Sequence, residues 1–151
     1  MGSGNKEFEE EKKTDRTYVI DASALYPMLL RLDSSSFVQL LHRIRVLDLT
    51  KYEIGNAARY DRNLQSATKM MELWGELLDS IGEERITSLT EVQKIAVKHS
   101  ITFYDAAYVQ VAITFGTKLV TMDKEILQKF SDKSISLKDF EVITSEKFAR
   151  M

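Results

Sequence analysis

The sequence predicts an α/β sandwich, with helices flanking a central, mainly parallel sheet. Three observations carry that prediction. Short apolar runs of strand length alternate with stretches of helical periodicity, the alternation repeats along the chain, and capping residues or glycines stand at the junctions. The 151 residues suit one domain, and 44% hydrophobic with 29% charged residues is the balance of a chain that buries a core.

Residues 1 to 16 have a Gly-Ser start resembling an expression remnant, then a charge run with one aromatic; they read as a solvated tail, leaving the domain to 17–151. Tyr18-Val19-Ile20 is a compact apolar run ending at Asp21, and Ala22 to Leu32 follows as a helix with Pro27 near its first turn. Ser34, Ser35 and Ser36 offer N-caps to a second helix carrying Phe37, Leu40, Leu41 and Ile44, and Val46 to Leu49 reads as the second strand. Thr50-Lys51-Tyr52-Glu53 fits a capping box that opens a helix through about Arg62 and puts Glu53 in its first turn. Ser66 to Ile81 places Met70, Met71, Leu73, Trp74, Leu77, Leu78 and Ile81 on one broad helical face, which Gly82 ends.

Arg85 to Leu89 reads as a third strand and Thr90 to His99 as the next helix. Thr102-Phe103-Tyr104-Asp105 again resembles a capping box, opening a helix over Ala106 to Phe115 that Gly116 terminates. Leu119 to Met122 is a short strand ending at Asp123, Lys124 to Phe130 starts a last helix, and Phe140 to Ile143 offers a closing strand.

Composition removes several chemistries. With no cysteine, the chain makes no disulfide, thiolate metal site or cysteine nucleophile. Its two histidines, His42 and His99, lie within or near the end of helices and away from the strand-to-helix junctions, so packing or surface roles suit them. No uncharged stretch reaches membrane-span length and no secretory segment opens the chain, which makes the cytoplasm the expected compartment, with no membrane partner. The 21 basic and 23 acidic residues give a net charge of -2, which weighs only mildly against nucleic acid, because a carboxylate cluster hides a local basic surface in the total.

Four acids stand at junctions of the kind that gather at the carboxyl edge of a parallel sheet: Asp21 after the first strand, Glu53 and Asp105 in first turns of helices, and Asp123 after the fourth strand. Singly, each reads as a helix cap. Crowded together they repel, and a hard divalent cation with oxygen ligands removes that repulsion. Magnesium or manganese at such a site activates water and neutralises a leaving oxygen in phosphodiester hydrolysis.

Val19-Ile20-Asp21-Ala22-Ser23-Ala24-Leu25, Leu49 to Ala57 (LTKYEIGNA), Thr102 to Val109 (TFYDAAYV) and Leu119 to Asp123 (LVTMD) together resemble the PIN domain, and more narrowly the VapC toxins of prokaryotic toxin–antitoxin pairs. The likeness runs from about Thr17 to Ile143. It implies a PIN-like three-layer α/β/α sandwich and an Mg2+- or Mn2+-dependent endoribonuclease in which Asp21, Glu53, Asp105 and Asp123 form the catalytic, metal-holding quartet. Asp21 and Asp105 would be central ligands, Glu53 a direct or water-mediated one, and Asp123 would complete the site. Ser23 and Thr121 match the small hydroxyl positions that support the quartet, beside their plain reading as local caps. The resemblance further implies an RNA substrate, a cognate antitoxin and a homodimer. The Met70 to Ile81 face reads first as core and second as a groove for such a partner. Arg31, Arg43, Arg45, Lys51, Arg59 and Arg62 are within the range of residue types that meet RNA phosphates, though scattered basic residues are usually solvated surface.

Rival readings fit less well. A haloacid-dehalogenase-type phosphatase wants a second Asp two positions after Asp21, where Ser23 stands, and a receiver domain wants an acidic pair at the first strand's end. No glycine-rich phosphate loop follows the first strand, against a Rossmann or P-loop site. A stand-alone RNA-processing PIN nuclease, or a catalytically weak PIN-like module that binds RNA or protein, would share the same residues.

Overall fold

The structure, a computed structural model, describes residues 17–31, 40–60, 63–77 and 80–149. The expected tail over 1–16, the serine caps at 34–36 with Phe37, and Leu32, Arg62 and Leu78 lie outside the described residues.

In chain order the elements are β1 (Tyr18–Ile20), α1 (Ala22–Leu29), β2 (Ile44–Leu47), α2 (Thr50–Ala58), α3 (Leu64–Leu77), β3 (Gly82–Glu84), α4 (Leu89–His99), α5 (Phe103–Thr114), β4 (Leu119–Thr121), α6 (Lys124–Lys129), β5 (Ser134–Ser136) and α7 (Leu137–Ala149). The strands stand in the order β3-β2-β1-β4-β5, and every pairing among the described residues is parallel. From the central β1 the chain builds outward to β2 and β3, then returns to the other side of β1 for β4 and β5. The strand order therefore reverses between β1 and β4, and a crevice opens beyond their carboxyl ends.

Alternate strand residues face opposite sides of a sheet, and here they feed two cores. Ile20, Val46 and Val120 pack with Leu25 and Met28 of α1, Trp74 of α3 and Phe140 of α7. Val19, Leu47 and Leu119 pack with Val92 of α4, Val109 of α5 and Ile126 of α6. Helix layers on both faces complete the expected α/β/α sandwich.

Several boundaries differ from the sequence reading. Ile44, expected on a helix face, opens β2, and the strand ends at Leu47 rather than Leu49. The reason is local: the Leu47 amide donates to Thr50 Oγ1 (3.1 Å), which turns the chain into α2 immediately after the strand. The third strand is Gly82–Glu84, not Arg85 to Leu89; Gly82 starts it rather than ending a helix, and Leu89 begins α4 behind the Ser88 cap. The closing strand is Ser134–Ser136, while Phe140 to Ile143 belongs to α7, whose Phe140 ring meets Tyr18 edge-on at 5.1 Å. Pro27 sits in the second turn of a short α1 that ends at Leu29.

The α3 stripe is core: Trp74 is buried, Met70 and Leu77 pack against the first cluster, and Met71 remains partly exposed. Gly116, at φ +62°, stops α5 in the left-handed backbone that a Cβ disfavours, as expected of it.

Candidate functional site

Each of the four acids sits where a backbone junction puts it. Asp21 leaves β1 with its amide bonded to the Val120 carbonyl of β4 (3.2 Å), and its side chain caps α1, with Oδ1 accepting from the Ala24 amide (3.2 Å) and from Ser23 Oγ (2.6 Å). Asp123 follows β4 and caps α6, accepting from the Glu125 and Ile126 amides (2.9 and 3.3 Å). Asp105 lies in the first turn of α5, whose N-cap Thr102 accepts the Asp105 amide (3.1 Å). Glu53 lies in the first turn of α2. The plain capping reading is thus realised for the side chains of Asp21 and Asp123.

Two hydroxyls tie the ends of β1 and β4 together. Ser23 Oγ donates to Asp21, accepts the Met122 amide (3.0 Å) and lies 3.3 Å from Thr121 Oγ1. Thr121 Oγ1 accepts the Asp123 amide (3.1 Å). Ser23 and Thr121 thus lie between Asp21 and Asp123 in one hydrogen-bonded run.

The acids act on one another. Burial raises the Asp21 carboxyl above its ordinary value and the Asp105 charge adds to this, against lowering hydrogen bonds from Ser23, Thr121 and the Ala24 amide. Burial likewise raises Glu53, opposed by a Tyr108 hydrogen bond and reinforced by Asp21 and Asp105. Asp105 is raised by burial and by the Asp123 and Glu125 charges, against Thr102. A chain of repulsion therefore links all four acids, and among the described residues none of them pairs with a Lys, Arg or His side chain.

The donor set suits a hard divalent cation: oxygen donors only, partly or fully buried, carrying uncompensated charge. Their posture is looser. Among the described residues no three His, Cys, Asp or Glu side chains are gathered closely enough to hold one ion. Three of the four are turned to hydrogen-bond partners, Asp21 to Ser23 and the Ala24 amide, Glu53 to Tyr108 and Asp123 to the Glu125 and Ile126 amides.

The raised acids have a consequence for stability. Asp21 in the folded chain keeps a proton that the unfolded chain releases near 3.8. Its ionisation weakens folding, so its contribution is full below that value and is lost as pH rises through the raised folded value. In EDTA, the melting temperature of the wild-type chain relative to an Asp21→Asn variant should fall as pH is raised from about 4 toward neutral. A flat difference across that interval would contradict the assignment.

A buried side chain that sequence reasoning missed completes the arrangement. Tyr108, on α5 and 1% exposed, donates its hydroxyl to Glu53 Oε1 (2.6 Å) and lies 2.7 Å from Thr50 Oγ1. Tyr108 has one hydroxyl proton, committed to Glu53, so Thr50 donates to Tyr108 and itself accepts from the Leu47 amide. Thr50 is therefore no N-cap: Leu49 holds that position and makes no side-chain cap bond, which corrects the capping-box reading of Thr50 to Glu53. The available signal was spacing, because Tyr108 is three residues past Asp105 on one helix face.

Four of the six basic residues singled out in the sequence make contacts away from the acids. Arg31 pairs with Glu141 (2.7 Å), Arg45 pairs with Glu84 and lies over Phe115, and Lys51 and Arg59 lie over Tyr52 and Tyr60. His42 is exposed, and the His99 ring lies 4.5 Å from Phe130, remote in role from the acids.

Comparison with known proteins gives the family. Residues 18–133 match the family model described as PIN domain. "Exonuclease VapC9" of Pyrobaculum aerophilum is 37% identical over 117 residues, spanning 74% of this chain and 84% of the relative. "Ribonuclease VapC3" of the same organism is 34% identical over 125 residues, spanning 74% of this chain and 93% of the relative. The crystal structure of PAE2754 from Pyrobaculum aerophilum superposes with a TM-score of 0.75 at 32% identity, covering 87% of this chain and 91% of that one. With the family model matched over most of the chain and the fold in agreement with that of a solved relative, the chain belongs to the PIN domain family.

Proposed function

We propose that this chain is an Mg2+- or Mn2+-dependent endoribonuclease, acting in the cytoplasm as the toxin of a VapBC-type toxin–antitoxin pair, with 17–151 as a single PIN unit. The observation that carries the reading is the buried Asp21 carboxylate at the β1–β4 crevice, coupled to Asp105 and Glu53 and without a cationic partner among the described residues. Asp21 and Asp105 would hold the ion, Glu53 would join them directly or through water, and Asp123 would complete the set. When bound, the ion supplies Lewis acidity, easing deprotonation of a water and offsetting charge on the phosphate. Ser23 and Thr121 hold Asp21 and Asp123 at the ends of adjacent strands, and Tyr108 holds one oxygen of Glu53. The relatives named as nucleases support an RNA substrate, and by the same kinship a homodimer and a cognate antitoxin belong to the reading. No described helix is long and apolar enough to cross a membrane.

A second mode is favoured by one of the two relatives, which is named an exonuclease. Linear and circular RNA incubated with the purified chain in Mg2+, Mn2+ or EDTA separate the two. The expected result is metal-dependent cutting of both forms and none in EDTA. Cutting of linear RNA alone would replace the endonuclease by an exonuclease, and no cutting in any metal would sink the nuclease.

A further inference from the structure

We propose that the groove between α1 and α2 seats one nucleobase of the RNA strand beside the scissile phosphate, and that Asn56 reads its edge; this rests on the ribonuclease reading above. The groove measures about 350 Å3, at the small end of the roughly 300 to 1,000 Å3 typical of small-molecule sites. Ser23 and Glu53 line it and belong also to the carboxylate crevice, so a strand whose phosphate lies at the acids has this hollow directly alongside. Tyr26 and Pro27 from α1 form one wall, and Asn56 and Ala57 from α2 the other. Glu53, Asn56 and Ala57 share a helix face by their three- and four-residue spacing.

The chemistry selects a base over other parts of a nucleotide. Among the described residues no Lys or Arg lines the groove and Glu53 lies along it, which disfavours a phosphate and favours a neutral group as the occupant. A planar base offers apolar faces to the Tyr26 and Pro27 side and polar edges to a carboxamide. Asn56 is exposed and makes no hydrogen bond among the described residues, so its donor and its acceptor are both available. The Tyr26 hydroxyl is likewise uncommitted among the described residues. The volume takes one ring system, which favours a splayed base over a peptide helix.

Two measurements test this. A random RNA pool is cut in Mg2+ and the ends are sequenced, wild type against Asn56→Ala, a substitution at an exposed position. The expected result is a base preference beside the cut that weakens about fivefold or more in the variant. In parallel, the four neutral ribonucleosides are titrated into 15N-labelled wild-type protein in EDTA, where the Asn56 side-chain amide should shift more with one base than with the others. If the protein cuts and the preference beside the cut is absent or unchanged in Asn56→Ala, the proposal is overturned and the ribonuclease stands. If no metal-dependent cutting occurs, the ribonuclease reading fails, and the titration decides: a base-selective shift at Asn56 keeps the groove as a base-binding site. No shift overturns both and leaves the groove to a protein partner.

Discussion

Asp21→Asn is expected to lower metal-dependent RNA cleavage by about a thousandfold or more while leaving the metal-free fold at least as stable as the wild type. Asp21 is 6% exposed, and its Oδ1 accepts from Ser23 and from the Ala24 amide, two bonds that an Asn Oδ1 also accepts. The substitution keeps the α1 cap and the shape of the crevice. It removes the charge that burial opposes and that Asp105 repels. The metal-free protein therefore loses the charge that burial opposes and keeps both bonds to Oδ1, which offsets any loss of the Thr121 hydrogen bond to the carboxylate. A divalent ion loses a central anionic ligand, and several kcal/mol of transition-state stabilisation at about 1.4 kcal/mol per tenfold gives the stated loss. Asp105→Asn acts in the same direction on cleavage. Melting curves supply the second readout: Mn2+ should raise the melting temperature of the wild type, as any ligand specific to the native state does, and should leave Asp21→Asn unmoved. A folded and fully active Asp21→Asn protein would remove Asp21 from the site.

The positions of the four acids are legible in the amino-acid sequence itself, because each stands at a change of period, where a strand-length apolar run gives way to a helix or a cap opens one. Parallel topology then carries such junctions to one edge of the sheet. The central strands β1 and β4 are legible for the same reason: buried on both faces, they are continuous apolar runs. The edge strands are not. Among the described residues Gly82-Glu83-Glu84 and Ser134-Ile135-Ser136 each pair with one neighbour, and Ile135 is the one large apolar side chain they carry, packed against the first core, while Glu84 meets Arg45. An edge needs no apolar alternation, so nothing in the pattern marks it, and the more hydrophobic segments nearby read as strands instead. Phe140 and Ile143 are hydrophobic because α7 covers β4 and β5, and β-branched residues in that helix imitate a strand.

The hydroxyl network escapes sequence reasoning for a different reason. A capping box is a local pattern, and Thr50 to Glu53 satisfies it in sequence. In three dimensions Thr50 has a better use, because the Leu47 amide on one side and the Tyr108 hydroxyl on the other engage its oxygen and its proton together. Both partners are buried or distant in sequence, and an unsatisfied hydroxyl at a fully buried position would be costly, so tertiary pairing overrides the local motif. The consequence is that α2, which carries Glu53, is fastened to α5, which carries Asp105, through one directed line of hydrogen bonds.

Tyr108→Phe is the substitution that tests that line. The loss of one oxygen removes the donor to Glu53 Oε1 and the acceptor for Thr50, while the ring still fills its place beside the second core. Glu53 is then free to rotate, and its charge loses the hydrogen bond that opposes burial. Groups that orient a metal ligand typically contribute tenfold to a hundredfold in metal affinity or activity, so Mn2+ binding and cleavage should weaken by about that factor. Stability should fall too, by about 1 to 3 kcal/mol, because the buried Thr50 hydroxyl is left without its partner. The two effects separate with a second variant. Thr50→Val removes the far end of the line and leaves Tyr108 able to donate to Glu53, so it should depress the melting temperature more than Mn2+ affinity. In the double variant the two losses in metal affinity should not add, since Thr50 acts on Glu53 only through Tyr108. Equal Mn2+ affinity in Tyr108→Phe and wild type, with only the melting temperature lowered, would reduce Tyr108 to a packing residue. Additive losses would mean that Thr50 and Tyr108 reach the site independently.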